Sequence, residues 1–129
     1  MSELYAVTSG DPAGIGPDIS LKIALREDSH QFVVFGNMDL LKERAEMHAM
    51  DIKFIEFDEA TSDSQIQKNT LLVKNFNLNE SIQPGVIDSK NGSYTLSMID
   101  DAVKGCMDGR FTGCITGPVN KESIAKSGY

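Results

Sequence analysis

The sequence predicts a three-layer α/β/α fold with a mainly parallel sheet. Short apolar runs typical of strands alternate with amphipathic helical patterns along the chain, and no repeat or interdomain linker interrupts them. One run, Gln31–Phe35, is continuously apolar from its second residue, as expected for a strand covered by helices on both faces. Ligands of this fold class bind at the carboxyl ends of the strands, so the loops at that edge are the candidate sites.

Composition and charge narrow the class of protein. The 129 residues have the size of one domain, and 19 acidic against 12 basic residues give a formal net charge of −7 without a basic cluster. Nucleic acid is therefore not an expected partner. No apolar run approaches the roughly 20 residues of a membrane span, and the N-terminus lacks a signal-peptide pattern. We expect a cytoplasmic protein with no membrane partner.

The first candidate loop follows the predicted strand Leu4–Ser9 and has the sequence Gly-Asp-Pro-Ala-Gly-Ile-Gly-Pro-Asp at residues 10–18. Its glycines, Gly10, Gly14 and Gly16, permit positive φ or a close backbone approach. A glycine-rich turn between a strand and a helix directs free N–H groups at whatever lies above the strand, which is typical of a binding loop. A tight connection that binds nothing fits the same pattern.

This loop matches neither common nucleotide-binding pattern. Ile19 occupies the third glycine position of the dinucleotide fingerprint, and the Gly-Lys-Ser/Thr ending of a phosphate-binding loop is absent. Asp11 and Asp18 also place negative charge where a phosphate would bind. Their charge favours a hydroxyl, ammonium or metal neighbour or, for Asp18, simple compensation of the helix dipole.

The helix after this loop is predicted to begin at Pro17, with Gly16 as its cap, and to continue to about Arg26. Ile15, Ile19 and Ile23 recur every four residues, with Leu21 and Leu25 beside them. We expect this row to lie on a broad buried face.

A second helix is predicted to begin after its cap, Asn37, and to continue to Met50. Met38, Leu41, Ala45 and Ala49 keep the helical period on its inner face. Four charged residues are predicted to form a solvent-facing surface: Lys42, Glu43, Arg44 and Glu46.

The middle of the chain is predicted to contain two further strands. These are Lys53–Phe57 and Leu71–Phe76, and the polar residues 58–69 between them are expected to form a loop. Residues 77–91 have no clear period and are expected to be irregular or to form an edge hairpin.

The third helix is predicted over Asn91–Cys106, with Gly105 and Gly109 marking its end, and strand Phe111–Thr116 follows. Its predicted inner face is a row at four-residue spacing: Tyr94, Met98, Ala102 and Cys106.

Small apolar residues in the last strand, Cys114 and Ile115, suit the centre of a sheet. Cys106 and Cys114, the only cysteines, are expected to pack as small apolar side chains and not to form a disulfide in a cytoplasmic protein. His30 and His48 form no pattern for metal binding or acid–base chemistry.

The segment Thr116–Ser123 is the second candidate loop. Gly117 permits a sharp exit from the strand, Pro118 stiffens the turn, and Asn120 or its neighbour can cap a short helix. Lys121 would lie near the rim of the sheet, where a lysine can hold a phosphate or carboxylate or polarise a substrate oxygen. The alternative is an exposed lysine that pairs with an adjacent carboxylate or with solvent.

Three segments together resemble the 4-hydroxythreonine-4-phosphate dehydrogenase (PdxA) family of vitamin B6 biosynthesis. They are the loop at residues 10–18, Ser-Lys-Asn-Gly-Ser-Tyr at 89–94, and Ile-Thr-Gly-Pro-Val-Asn-Lys at 115–121, in the same order and with matching spacing. The resemblance extends from Tyr5 to Gly128.

The resemblance implies a fold like that of isocitrate and isopropylmalate dehydrogenases and a function in pyridoxal phosphate biosynthesis. Members of the family use NAD or NADP to oxidise 4-hydroxy-L-threonine phosphate, a small phosphorylated hydroxy amino acid, to a 3-keto acid that loses carbon dioxide. They require a divalent metal (zinc, magnesium or cobalt) and form homodimers with the active site at the subunit junction.

Members of the family are longer than this chain. The resemblance therefore makes residues 1–129 an N-terminal portion, a single α/β unit that ends before the metal-binding histidines and before a Gly-His-Thr-Glu segment that contacts substrate. Neither His30 nor His48 matches a metal ligand, and the 129 residues alone are expected to be inactive. The resemblance implies that eight residues of the two loops line the active site, and it assigns them no individual roles: Gly10, Asp11, Gly14, Gly16, Gly117, Pro118, Asn120 and Lys121.

Two alternatives to this function stay open. The first is a paralogous dehydrogenase of the same fold that acts on another phosphorylated hydroxy acid. The second is a non-catalytic α/β fragment, either a ligand-binding remnant or a dimerisation unit. The downstream reading frame with its histidines would separate these alternatives.

Overall fold

Five parallel strands form one sheet between two helical layers in the computed structural model, which describes residues 4–58, 69–78 and 91–117. The strands are β1 (Tyr5–Thr8), β2 (Phe32–Gly36), β3 (Lys53–Glu56), β4 (Thr70–Asn75) and β5 (Gly113–Thr116). The helices are α1 (Gly16–Leu21), α2 (Met38–Met47) and α3 (Asn91–Met107), with 3-10 turns at Lys22–Leu25 and Ser29–Gln31. The predicted three-layer class is confirmed. Most of the predicted loop at 58–69 and of the irregular segment at 77–91 lies outside the described residues.

The strand order is β3-β4-β2-β1-β5, which places β1 between β2 and β5. Val7 of β1 pairs with Val34 on one side and with Ile115 on the other. The first and last predicted strands are therefore neighbours with aligned carboxyl ends. The two candidate loops thus leave the sheet side by side.

Each face of the sheet carries its own apolar core, because successive residues of a strand point to opposite faces. The core under α1 and α2 contains Val7, Leu21, Ala24, Val34, Leu41, Ala45, Leu71 and Val73. The core under α3 contains Ala6, Val33, Phe35, Leu72, Tyr94, Met98, Ala102 and Phe111.

Helix α1 differs from the prediction in its bounds and in its buried face. It begins at Gly16, has Ile15 as its N-cap residue, and changes into a 3-10 turn after Leu21. Leu21 is fully buried, as predicted, but the predicted burial of Ile15, Ile19 and Leu25 is wrong, because these side chains are 64%, 50% and 53% exposed. A four-residue period identifies a stripe on a helix, but the contact of α1 with α2 and the sheet decides which stripe is covered.

Helix α2 has the predicted cap and a shorter length. The Leu40 backbone N–H donates to Asn37 Oδ1 at 3.0 Å, and the helix ends at Met47 instead of Met50. The prediction that Arg44 faces solvent is wrong, because the residue is only 2% exposed.

Helix α3 and strand β5 correct two details of the prediction. The helix continues through Gly105, where an added Cβ would lie 2.4 Å from the Phe111 ring, so this glycine makes room for packing and does not end the helix. Among the described residues β5 is an edge strand, and Ile115 is 52% exposed. The predicted central position of Cys114 and Ile115 is therefore wrong for the described sheet, since strand composition does not determine whether a neighbouring strand is present on each side.

Both cysteines are free thiols, as predicted, with Cys106 on α3 and Cys114 on β5. Burial, followed by the proximity of Cys114, raises the pKa of Cys106. No helix in the described ranges is long and apolar enough to cross a membrane.

Candidate functional site

The carboxyl ends of β1 and β5 are joined by a direct backbone contact. The Gly117 N–H donates to the Thr8 carbonyl oxygen at 2.7 Å and lies 3.2 Å from Thr8 Oγ1. A Cβ at Gly117 would lie 2.5 Å from Thr8 O and 3.0 Å from Ser9 O, both backbone atoms. Glycine is therefore required at this position by close packing, and the two candidate loops share one rim.

The loop after β1 is organised around Asp11. Gly10 adopts a φ of 79°, and the Ala13 N–H then donates to Asp11 Oδ1 at 2.8 Å while the Gly14 N–H donates to Asp11 O at 3.0 Å. Asp11 is 7% exposed. Two of the N–H groups that the glycine-rich pattern predicts to be free are therefore used within the loop, and they are not available to a phosphate. Gly16 is buried as the first residue of α1.

Arg44 of α2 donates hydrogen bonds to the same loop and holds it against the helix. Its Nη2 donates to Pro12 O at 2.7 Å, and its Nη1 donates to Asp18 Oδ2 at 2.6 Å and to Gly14 O at 3.2 Å. Only 3% of the Arg44 side chain is exposed. These three acceptors explain why a charged residue is buried here, because a buried guanidinium needs partners for its donors.

Asp18 pairs with Arg44 of α2 and with His48, the residue that follows this helix. Besides the contact with Arg44, its Oδ1 lies 2.8 Å from His48 Nε2. Burial raises the pKa of Asp18, but the hydrogen bonds from His48 and Arg44 outweigh burial and leave the pKa below its ordinary value. The structure thus pairs Asp18 with the Arg44 guanidinium and the His48 ring, neither of which was among the neighbours expected from the sequence.

Tyr94 of α3, the last residue of the second resemblance segment, lies at the same edge. Its hydroxyl accepts a hydrogen bond from the Asn37 backbone N–H at 2.7 Å, and the Ser9 Oγ donates to Met98 Sδ of the same helix at 3.8 Å. Ser9 Oγ also donates to Phe35 O at 2.8 Å. Burial raises the pKa of Tyr94 to about 12, although the hydrogen bond from Asn37 and the nearby Ser9 side chain lower it. The ends of β1 and β2 are therefore connected to α3 by a buried polar chain.

A cavity of about 370 Å³ lies beside this rim, between α1 and β5. Ile19, Ile23 and Ile115 contribute apolar walls, and Thr8 and Thr116 also line the cavity. Arg26 also lines the cavity, where it pairs with Asp28. The exposed Ile19 of α1 therefore faces an open apolar concavity.

Three predicted rim residues, Pro118, Asn120 and Lys121, lie outside the described residues. In the described part of the chain no three His, Cys, Asp or Glu side chains come close enough together to hold a metal ion. The described rim therefore supplies a scaffold and the Asp11 carboxylate, and no metal centre.

Comparison with known proteins agrees with the resemblance. A sequence model of the family described as "Pyridoxal phosphate biosynthetic protein PdxA" matches residues 28–129. The chain belongs to the PdxA family. The 4-hydroxythreonine-4-phosphate dehydrogenase of Vibrio cholerae is 37% identical over 127 residues, which are 98% of this chain and 38% of the relative. The enzyme of the same name from Pseudoalteromonas translucida is 37% identical over 128 residues, or 99% of this chain and 39% of the relative.

Solved structures of PdxA proteins have the same fold. The crystal structure of 4-hydroxythreonine-4-phosphate dehydrogenase from Klebsiella pneumoniae superimposes with a TM-score of 0.87 at 27% identity, covering 98% of this chain and 40% of that one. The predicted isocitrate/isopropylmalate dehydrogenase-like α/β class is confirmed. The chain spans about two fifths of the length of the PdxA relatives that it matches.

Sequence reasoning missed Arg44 and His48 as partners of the first loop. The burial of Arg44 could have been predicted from its position in the helix. It is three residues after Leu41 and one before Ala45, so it lies on the buried stripe of α2. The role of Tyr94 as a link between strand ends was also missed, although its segment carried part of the PdxA resemblance.

Proposed function

We propose that this chain is the N-terminal part of an NAD- or NADP-dependent 4-hydroxythreonine-4-phosphate dehydrogenase of pyridoxal phosphate biosynthesis. Membership of the PdxA family and the names of its relatives support the reaction class. The structural observation that carries the proposal is the contact between Gly117 and Thr8, because it joins two of the resemblance segments into one rim. Such a rim at the carboxyl edge of a parallel sheet is where a substrate of this fold class binds.

The rim residues would orient the substrate, a small phosphorylated hydroxy amino acid. Asp11 is held by two backbone N–H groups in a fixed position, which suits a carboxylate that accepts a hydrogen bond from a substrate hydroxyl or ammonium group. Pro118, Asn120 and Lys121 follow Gly117 in the sequence and would continue this wall. Lys121 would bind the substrate phosphate or carboxylate as a point charge.

We propose that the cofactor and the metal are held mainly by residues other than those of the first loop. The Ala13 and Gly14 N–H groups are already bonded to Asp11, so we assign them no role in binding a dinucleotide phosphate. The described residues contain no cluster of metal ligands, and we therefore place the ligands of a zinc, magnesium or cobalt ion elsewhere in the complete enzyme. No step of the reaction is assigned to a metal in this part of the chain.

We also propose that the complete protein is a homodimer in the cytoplasm. The apolar concavity between α1 and β5, with exposed Ile19 and Ile115, is a surface of the kind that further protein covers. We call the protein encoded by the full reading frame that contains this chain the full product. Its sedimentation tests the oligomeric state. A monomer at micromolar concentration would contradict the dimer.

Complementation tests the function. A bacterial strain that lacks its own 4-hydroxythreonine-4-phosphate dehydrogenase and needs added pyridoxine should grow without it when it expresses the full product. The Vibrio cholerae enzyme is the positive control, and residues 1–129 alone should not support growth. Absence of growth despite soluble full product would contradict the proposal. If that protein instead reduced NAD with a different phosphorylated hydroxy acid, the paralogue would be the correct alternative.

A further inference from the structure

Arg44 is a charged residue that α2 directs into the protein, with 3% of its side chain exposed. Replacing a buried ion pair by apolar groups is often neutral or stabilising, so the pair with Asp18 is weak evidence for a contribution to stability alone. The other two acceptors of Arg44 are both carbonyl oxygens of the loop between β1 and α1. These contacts connect α2 directly to the rim of the candidate site.

The peptide unit between Pro12 and Ala13 is held from both ends. Its carbonyl oxygen accepts from Arg44 Nη2 at 2.7 Å, and its N–H donates to Asp11 Oδ1 at 2.8 Å. In a planar trans peptide the C=O and N–H bonds point in opposite directions, so fixing one bond fixes the direction of the other. Arg44 therefore acts on the Asp11 carboxylate through a single rigid peptide unit.

A second contact closes the same turn. Arg44 Nη1 donates to Gly14 O at 3.2 Å, and the Gly14 N–H donates to Asp11 O at 3.0 Å. Asp18 accepts from the same Nη1 at 2.6 Å and keeps the guanidinium in this orientation. A lysine ammonium has a single nitrogen and cannot reproduce the spacing of the two guanidinium nitrogens, although it would keep the charge.

We propose that Arg44 is a positioning residue that holds the turn at residues 11–14, and with it the Asp11 carboxylate, in the orientation that the reaction at this rim uses. The catalytic part of this proposal rests on the proposed dehydrogenase function. Arg44 contacts the loop from the side of α2 and acts only through it.

Two substitutions, Arg44→Lys and Arg44→Gln, test the proposal in the full product. Amide hydrogen exchange of the peptide that covers residues 10–18 measures how firmly the loop is held, and steady-state kinetics give kcat and KM. In both variants we expect exchange faster by about tenfold or more, kcat lower by about tenfold or more, and KM for the phosphorylated substrate within about threefold of wild type. The matched control is Lys42→Gln, an exposed residue of the same helix, which should leave all three unchanged.

Arg44→Lys decides the outcome if Arg44→Gln does not fold, because it keeps a positive charge opposite Asp18. A folded Arg44→Lys protein with wild-type exchange in the loop would overturn the proposal, and so would a loosened loop with unchanged kcat. Failure of Arg44→Lys to fold would also overturn it, because the residue would then serve folding itself. An inactive wild-type protein would refute the dehydrogenase function separately, since loop exchange would still report on Arg44.

Discussion

The Gly117 backbone nitrogen lies 2.7 Å from the carbonyl oxygen of Thr8, and this short contact brings together two loops that are more than 100 residues apart in the sequence. It depends on the absence of a side chain at Gly117, since the space for a Cβ is occupied by the backbone of Thr8 and Ser9. The arrangement of the two loops at the rim of the proposed site therefore depends on this contact between Gly117 and Thr8.

Gly117→Ala should loosen the junction. The added Cβ must displace backbone atoms, and overpacking of this kind costs about 1–3 kcal/mol in the free energy of unfolding. Urea unfolding of the full product measures the loss. Gly113→Ala is the control on the same strand, because its Cβ would meet only the Tyr5 ring at 3.5 Å, an ordinary contact. Equal stability of the two variants would contradict the assigned role of Gly117.

Tyr94→Phe should cost about 1–2 kcal/mol of unfolding free energy, because the partly buried Asn37 N–H loses its acceptor. Ser97→Ala is the control on the same helix, since that hydroxyl is exposed and bonds only to Ser93 O. Chemical denaturation of both variants at neutral pH gives the comparison. A Tyr94→Phe protein as stable as the control would show that the buried polar chain contributes nothing.

The pH dependence of Tyr94 provides a separate prediction. Its pKa in the folded protein is about 12, above the ordinary value of 10.0, so its stabilising effect is present below pH 10 and is lost as the pH rises toward 12. Wild type should therefore lose stability relative to Tyr94→Phe over this interval. A constant difference between the two proteins from about pH 9 to about pH 11.5 would contradict the raised pKa.

Asp18 should contribute stability at neutral pH that disappears in acid. Its pKa lies below the ordinary value of 3.8, so the contribution is present above that pH and is lost as the pH falls through the folded value. The Tm difference between wild type and Asp18→Asn should therefore be largest near pH 7 and shrink below about pH 4. Asp51→Asn, at an exposed position, is the control. If the Asp18→Asn difference did not change with pH, its ion pair with Arg44 would not be responsible.

Lys121→Ala tests the assignment of the second loop. If this lysine binds the substrate phosphate or carboxylate, kcat/KM of the full product should fall about tenfold or more, equivalent to about 1.4 kcal/mol of transition-state stabilisation. Lys53→Ala, an exposed lysine of β3, is the control and should leave kcat/KM unchanged. A change within about twofold for Lys121→Ala would make it an ordinary solvent-facing lysine.

The sequence was sufficient for the order and type of the elements, because these depend on local patterns. The apolar run at Phe32–Gly36, the cap at Asn37 and the period of α3 each identify an element within one or two residues. The meeting of Thr8 with Gly117 was also predictable, since adjacent parallel strands bring their carboxyl ends together.

The errors concern properties that depend on distant partners. Arg44 is buried because Pro12 O and Gly14 O, about 30 residues earlier in the chain, accept its hydrogen bonds, and no local pattern contains that information. The exposure of Ile19 and Ile115 likewise depends on which elements lie against α1 and β5. The partner of Asp18 could not be chosen from sequence for the same reason.

The most direct test of the central claim is the rate of NADH or NADPH formation, followed by absorbance, with the full product, 4-hydroxy-L-threonine phosphate, NAD or NADP, and a divalent metal. We expect turnover that requires the phosphorylated substrate. Residues 1–129 alone should show less than about a hundredth of that rate, because holding substrate and nicotinamide together is worth about 7–11 kcal/mol and needs groups from the rest of the enzyme. A folded full product without substrate-dependent turnover, or residues 1–129 turning over at a comparable rate, would contradict the account.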